Sequence, residues 1–151
     1  MYTIKRTNSD SIDFHHLVSE LNNDLAIKNG ELNGFFAQYN KIDSLKHVIV
    51  VYEKDKAVGC GAMKEYEPQI MEIKRMFVPI DKRGNGIAGK ILHELKNWAK
   101  ELEYKKFVLE TGDKMIEAIS LYKKHNFKII PNYGQYANVE SSICFEKDID
   151  S

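Results

Sequence analysis

Cysteine, net charge and long apolar runs are all scarce in this sequence, and each shortage excludes a class of protein. Cys60 and Cys144 are the only cysteines among 151 residues, too few for a disulfide framework and without metal-site spacing. Lysine plus arginine equals aspartate plus glutamate at 22 each, so no net field attracts nucleic acid or an acidic membrane. No apolar stretch approaches a membrane span, and residues 1–13 lack a signal-peptide run. We therefore expect a cytoplasmic protein with no metal, no nucleic-acid partner and no membrane partner.

The rest of the composition is that of an ordinary globular protein. Hydrophobic residues make up 43% of the chain and charged residues 29%. A chain of 151 residues can bury one sizeable core but leaves no room for a separate substrate domain. No repeat, proline-rich linker or low-complexity segment divides the sequence. We predict a single domain that covers residues 1–151.

Hydrophobic periodicity predicts alternating strands and helices along the chain. A β-branched run at residues 47–52 and a second run at 58–64, separated by a polar turn, predict a hairpin. Apolar residues recurring at helical spacing predict one face of a long helix: Ile87, Ile91, Leu95, Trp98 and Leu102. Further strands are predicted at residues 2–6, 70–78, 106–110, 127–130 and 142–146, and helices at 9–28 and 113–125. Hairpins followed by two α/β units predict an α+β fold with a mixed central sheet flanked by helices.

The most informative segment is residues 72–90. It reads as a strand, a short basic loop and three glycines that open a helix, Gly84, Gly86 and Gly89. Glycines permit positive φ and let the backbone approach a ligand closely. The helix that follows adds unpaired N–H groups and the positive end of its dipole. Lys82 and Arg83 put mobile cationic charge at the rim, so the segment predicts a site for phosphate or pyrophosphate.

Three known anion loops compete for these glycines, and two of them fit poorly. Residues 84–90 match the P-loop pattern G-x-x-x-x-G-K, but Ile91 stands where a P-loop needs Ser or Thr to hold Mg²⁺. Residues 84–89 match the dinucleotide pattern G-x-G-x-x-G, and Glu110 lies near the position of a ribose-binding acid. In a dinucleotide fold, however, the glycines follow the strand directly, whereas residues 79–83 intervene here.

The third pattern is Val-Pro-x-x-x-Arg-Gly-x-Gly-Ile-Ala, at residues 78–88. It resembles the coenzyme A pyrophosphate loop of the GNAT N-acetyltransferase family, and residues 117–127 resemble that family's A-x-x-L-Y-x-x-x-G-F helix. The resemblance spans residues 48–145. It implies the GNAT acyl-CoA N-acyltransferase fold, with a largely antiparallel mixed sheet, and acetyl-CoA as the cofactor. The residues that it implies for coenzyme A binding are Met76, Phe77, Val78, Arg83, Gly84, Asn85, Gly86, Ile87, Ala88, Gly89 and Lys90.

The resemblance also implies how the acetyl group is held and which side chain acts as the acid. The strand before the loop is expected to splay from its neighbour, leaving backbone groups of Met76, Phe77 and Val78 free, with one N–H as the oxyanion donor. Tyr122 matches the family tyrosine whose phenol lies near the sulfur of coenzyme A. It is predicted to be the general acid that protonates the departing thiolate. The alternative is a helix tyrosine whose ring packs against the sheet.

The base is predicted to be Glu72, in the strand where some family members carry a glutamate that works directly or through water. Strand alternation predicts that Glu72 lies on the same side as Met76. The alternative is a structural carboxylate that forms a salt bridge with Lys74 or Arg75. Glu110, at the end of its strand, is a second candidate for the base. The sequence therefore leaves three possibilities for the base: Glu72, Glu110 or a water relay.

The acceptor site is predicted in residues 32–40 and 131–136, where Tyr39, Tyr133 and Tyr136 offer aromatic walls. Those side chains equally suit a cover over the core or the contact of a homodimer. The predicted function is transfer of the acetyl group from acetyl-CoA to a primary amine of a small molecule. Transfer would be by direct attack in a ternary complex, since no Cys or Ser has a recognisable nucleophile setting. The rivals are a non-catalytic sensor that binds coenzyme A and a dinucleotide-binding domain.

Overall fold

The computed structural model describes residues 1–29 and 45–150. These residues form seven strands and three α-helices, in the order β1 (Tyr2–Thr7), α1 (Ile12–Asn29), β2 (His47–Glu53), β3 (Lys56–Glu67), β4 (Ile70–Phe77), α2 (Ile87–Glu101), β5 (Lys106–Gly112), α3 (Ile116–Lys124), β6 (Lys128–Ile130) and β7 (Ser142–Asp148). Single turns of 3₁₀-helix lie at Ile80–Lys82 and Gly134–Tyr136. The predicted elements are confirmed, with ends that move by a few residues; α3, predicted from residue 113, begins at Ile116.

The strands form one sheet in the order β1-β2-β3-β4-β5-β7-β6. Strands β1 to β4 are antiparallel neighbours, β4 and β5 are parallel, and β7 lies antiparallel to both β5 and β6. This is the mixed, largely antiparallel sheet that was predicted. Because a parallel pair needs a crossover, α2 spans the sheet between β4 and β5. The glycine loop that precedes α2 therefore lies at the carboxyl end of β4.

Apolar side chains cover both faces of this sheet. In β2, Ile49 and Val51 face α2 and α3, while Val48 and Val50 face α1. Leu102, predicted on the buried face of α2, is instead 40% exposed because the helix ends one residue earlier. Among the helices of residues 1–29 and 45–150, none combines the length and apolar character that crossing a membrane demands.

Strand β4 contains a bulge at Arg75. Cys60 of β3 pairs with Phe77, whereas Ala62 pairs with Lys74, so β4 holds one more residue than β3 between these pairs. Arg75 adopts a φ of 59°, the left-handed conformation that residues other than glycine rarely enter. The bulge bends β4 and changes which face its later side chains occupy.

The bulge overturns one prediction about Glu72. Glu72 pairs with Lys64 and shares the face of Ala62, which packs under α1. Met76 instead packs on the α2 side, where its sulfur lies 2.6 Å from the position that a Cβ on Gly61 would take. The prediction that Glu72 and Met76 share a side is wrong, because the extra residue interrupts the alternation between them.

Strands β4 and β5 separate beyond Glu72. Their paired residues are Ile70 to Glu72 on β4 and Lys106 to Val108 on β5. β4 continues to Phe77 and β5 to Gly112, so residues 73–77 have no partner strand on that edge. The predicted splay is confirmed, and it leaves a wedge with open backbone N–H and C=O groups between the two strands.

Candidate active site

The loop before α2 presents backbone N–H groups to a groove. Gly84 and Gly86 have φ values of 85° and 78°, which favour glycine, and Gly86 caps the helix. Lys90 makes the first helical hydrogen bond, from its N–H to the Gly86 carbonyl at 3.1 Å. The N–H groups of residues 87–89 precede that bond and have no carbonyl one turn upstream. Together with the helix dipole they have the geometry that an anion site requires, and anion binding here stays a prediction.

A groove of about 510 Å³ runs from this loop along β4. Among its lining residues are nine that the sequence predicts for coenzyme A binding: Met76, Phe77, Val78, Arg83, Gly84, Gly86, Ile87, Ala88 and Gly89. The side chains of Asn85 and Lys90 turn elsewhere. The Asn85 amide donates to the Lys82 carbonyl at 3.0 Å, and the Lys90 ammonium lies 5.9 Å from the ring centroid of Tyr2.

The predicted mobile charge at the rim is wrong. Lys82 forms an ion pair of 2.8 Å with Glu53. Arg83 Nε donates to the Val78 carbonyl at 2.7 Å, and its Nη1 forms an ion pair of 2.9 Å with Glu117 of α3. Because these partners hold Arg83 across the loop, it joins the end of β4 to α3 rather than projecting freely. Lys82 and Arg83 still line the groove, but with these partners in place.

A second, smaller cavity of about 100 Å³ opens between β4, β5 and α1. Its lining includes Glu72, Lys74, Arg75, Glu110 and Tyr136. The cavity and the groove have several lining residues in common, namely Leu21, Met76, Met115, Ala118 and Tyr122. A molecule in the groove and a molecule in the cavity would therefore meet beside Tyr122.

Tyr122 is buried at this junction, with 5% of its surface exposed. Its ring packs against Phe127 and Phe145 at centroid distances of 5.5 and 5.7 Å. Burial raises the pKa of Tyr122 above its usual value, and the charge of Glu110 raises it further. The phenol therefore keeps its proton at neutral pH, as a general acid requires. The ring packs in the core, as the structural alternative predicts, and the residue also lines both cavities; its role as general acid stays a prediction.

Glu72 is held by two partners. The Tyr133 hydroxyl donates to its Oε2 at 2.5 Å, and Lys74 Nζ lies 3.3 Å from its Oε1. The salt bridge to Lys74 confirms one of the two pairings that the sequence allowed. Both carboxylate oxygens are thus engaged with groups that stabilise negative charge.

Glu110 is in a different environment. Its Oε2 accepts a hydrogen bond of 2.7 Å from the Ser142 hydroxyl. Burial raises the pKa of Glu110 to about 7, and the negative charge of Glu72 adds to the rise, against the opposing effects of Ser142 and Lys74. Glu72 and Glu110, two carboxylates that line one cavity, therefore have different hydrogen-bond partners.

Residues 44–129, more than half of the chain, match the profile of the acetyltransferase (GNAT) domain. The chain belongs to the GNAT acetyltransferase family. It is 31% identical over 102 residues to a protein named IAA acetyltransferase from Azospirillum brasilense, covering 67% of each chain. The curated relatives that it matches are covered over 54% to 67% of their own lengths.

Solved structures agree on the GNAT fold. A Klebsiella pneumoniae protein designated an acyl-CoA N-acyltransferase superposes with a TM-score of 0.82 at 23% identity, covering 99% of this chain and 98% of that one. A GNAT acetyltransferase from Elizabethkingia anophelis with acetyl-CoA bound superposes with a TM-score of 0.71 at 19% identity, covering 97% of each chain. The protein is thus an N-acetyltransferase enzyme of the GNAT family, with acetyl-CoA as cosubstrate, and the P-loop and dinucleotide readings are excluded.

The groove of this GNAT protein suits coenzyme A. The N–H groups around Gly86 would hold the pyrophosphate, and the open edge of β4 would face the pantetheine arm. A thioester at the end of that arm would reach the wedge between β4 and β5. His125, which the sequence gave no reason to select, also lines the groove. Its ring packs closely against Gly89, since a Cβ added at Gly89 would lie 3.2 Å from the His125 ring.

Sequence reasoning missed or only partly foresaw the residues of the small cavity. Of the two predicted acceptor segments, residues 32–40 lie outside the described part of the chain. In the other segment, residues 131–136, the Tyr133 hydroxyl donates a hydrogen bond to Glu72, and Tyr136 lines the small cavity. Ser142 was not predicted, and Arg75 was predicted only as a possible salt-bridge partner of Glu72. An arginine within a largely apolar strand was the available signal for Arg75, whereas nothing local marks Ser142.

Proposed function

We propose that this protein transfers the acetyl group from acetyl-CoA to a primary amine of a small molecule, by direct attack in a ternary complex. The observation that supports this most is the meeting of the groove and the small cavity beside Tyr122. One cavity admits the thioester and the other admits the amine, so the two reactants can be held in attacking geometry. We further propose that residues 1–151 act as one catalytic domain in the cytoplasm.

In this mechanism the protein mainly positions groups and moves two protons. A carboxylate in the small cavity accepts the amine proton, and the amine nitrogen forms its bond to the thioester carbonyl carbon. An open N–H on the β4 edge donates to the carbonyl oxygen as negative charge develops there. The carbon–sulfur bond then breaks, and Tyr122 gives its proton to the departing sulfur. The products are the N-acetylated amine and free coenzyme A.

We propose that Glu110, rather than Glu72, accepts the amine proton. Both oxygens of Glu72 already have partners, the Tyr133 hydroxyl and Lys74 Nζ, which compete with an incoming amine. Glu110 has one hydrogen-bond donor and a pKa of about 7, suited to a base at neutral pH. Its charge also acts on Tyr122, which supports a common site for acid and base. Glu72 would then attract the ammonium form of the acceptor by its charge; the ammonium gives one proton to solvent before the free amine attacks and gives the second to Glu110.

The pH dependence of the rate should follow Glu110. A base must be ionised to act, so kcat/KM is expected to rise as pH increases through about 7. Ser142→Ala removes a bond that lowers this pKa, so the rise should move to higher pH. Glu72→Gln removes a charge that raises it, so the rise should move to lower pH. Steady-state rates from pH 5 to 9 measure the pH at which kcat/KM rises in each variant. If Ser142→Ala and the wild type rise at the same pH, Glu110 is excluded as the base.

The overall function is tested by ligand protection followed by turnover. Acetyl-CoA should raise the melting temperature, because a ligand of the native state stabilises it by mass action, whereas NAD and ATP should not. The protein should then release free thiol from acetyl-CoA when small primary amines are supplied. Protection without thiol release across a broad amine panel would favour the sensor and contradict the proposed enzyme.

A further inference from the structure

Arg75 is a buried cation that forms no ion pair with residues 1–29 or 45–150. Only 9% of its surface is exposed, and it lines the small cavity. Its Nη1 donates to the Asn22 side-chain oxygen at 3.0 Å, while its buried Nε has no hydrogen-bond partner in the described part of the chain. No carboxylate of residues 1–29 or 45–150 forms an ion pair with it. An unpaired buried guanidinium is strongly unfavourable, so its presence calls for a partner that completes it.

The surroundings of Arg75 do not neutralise its charge. Burial lowers the pKa of Arg75 to about 10, so it remains a cation at neutral pH. The group that acts on its charge is the Cys60 thiol, and burial raises the pKa of that thiol to about 12. A thiol that is neutral at physiological pH supplies no counterion. None of the carboxylates that the structure describes therefore compensates this positive charge beside the cavity.

The backbone at Arg75 also points to function. The bulge places Arg75 in the left-handed conformation, with a φ of 59°. Such conformations are unfavourable for residues other than glycine and are concentrated at ligand sites. Without the extra residue, Arg75 would point to the opposite face from Lys74; with it, Arg75 reaches Asn22 of α1. The bulge thus delivers the guanidinium to the α1 side, where the small cavity lies.

We propose that Arg75 binds an acidic group on the acceptor, so that the substrate is a small amine that also carries a carboxylate or a phosphate. The guanidinium fork suits either group, because both offer two oxygens in a plane. The small cavity would then hold a zwitterion, with Glu72 and Glu110 on the amine side and Arg75 on the acidic side. This inference rests on the proposed function and names the substrate class of the same site.

The test compares matched acceptors in a thiol-release assay. One series pairs ω-amino acids, from glycine to 6-aminohexanoate, with their primary amides. A second pairs aminoalkyl phosphates with the corresponding amino alcohols, which distinguishes phosphate from carboxylate. In one of the two series, the wild-type protein should use each acidic acceptor with a kcat/KM about tenfold or more above that of its neutral partner. The expected cause is a charge-assisted hydrogen bond from Arg75 to the acidic group.

Three variants separate binding by Arg75 from a structural role. Arg75→Met keeps the volume and removes the charge, and it should bring the acid-to-neutral ratio close to one, mainly through KM. Arg75→Lys should retain part of the ratio, because it keeps the charge without the fork. Asn22→Ala is the matched control, since it removes the bond to α1 but not the charge, and it should keep most of the ratio.

The outcomes separate this inference from the proposed function. Neutral amines that react as well as their acidic partners in the wild type would overturn the role of Arg75 and leave acetyl transfer standing. An unchanged ratio in Arg75→Met would do the same. Thiol release from none of the amines would overturn both proposals. If Arg75→Met melts below the assay temperature, the acid-to-neutral kcat/KM ratios of the wild type and of Arg75→Lys still test the role of Arg75.

Discussion

Gly86→Val is expected to weaken coenzyme A binding by about a hundredfold or more while leaving the fold in place. Gly86 has a φ of 78° and caps α2. A β-branched residue cannot adopt that conformation without strain, so the loop must change its backbone. The change would turn N–H groups of residues 84–89 away from the pyrophosphate. Each hydrogen bond lost to a charged group removes about 1.5–3 kcal/mol, so the loss of two accounts for the effect.

The fold should survive this substitution because the site is open. A Cβ on Gly86 would meet no heavy atom within 4 Å, so strain is confined to the loop. Gly134→Val is a suitable control, because Gly134 also has a positive φ, 53°, but does not line the groove. Calorimetric titration with coenzyme A measures both variants. A folded Gly86→Val protein with wild-type affinity would show that the loop does not hold the pyrophosphate.

Tyr122→Phe is expected to lower kcat by about a hundredfold or more, with little change in coenzyme A affinity. Within the described residues, no protein group hydrogen-bonds the Tyr122 hydroxyl, so the phenol is left for the reacting molecules. Phenylalanine keeps the ring contacts to Phe127 and Phe145, and the melting temperature should hold. The variant therefore removes the proton donor and little else.

The control for this variant is Tyr104→Phe. The Tyr104 hydroxyl donates to Glu65 on the surface, away from both cavities, so its loss should leave turnover unchanged. Steady-state rates at saturating acetyl-CoA and amine, followed with a thiol reagent, report kcat, and a separate titration reports the affinity for coenzyme A. Wild-type turnover in Tyr122→Phe would remove the acid role, and the ring would then be structural only.

The sequence by itself determined the elements, the anion loop and the family. Strand and helix periodicity is a short-range signal, and it predicted the sheet and all three described helices. The loop could be predicted because positive φ at Gly84 and Gly86 and the unpaired N–H groups of α2 are local consequences of chain chemistry. Nine of the eleven residues predicted for coenzyme A binding line the groove for the same reason.

Only the tertiary structure decided which partners the charged side chains of the site have and on which face of the sheet they lie. Arg83 and Lys82 were predicted to be mobile, but Glu117 and Glu53, remote in sequence, hold them. The bulge at Arg75 depends on pairing with β3, so strand alternation alone put Glu72 on the wrong side relative to Met76.

The contacts that give Glu72 and Glu110 different roles also come from distant segments. Glu72 meets Tyr133, which lies 61 residues away, and Glu110 meets Ser142, which lies 32 residues away. Burial, the main cause of the raised pKa of Glu110, likewise exists only in the packed fold. Local sequence fixes backbone conformation and motif, whereas electrostatic roles depend on long-range neighbours that no short pattern specifies.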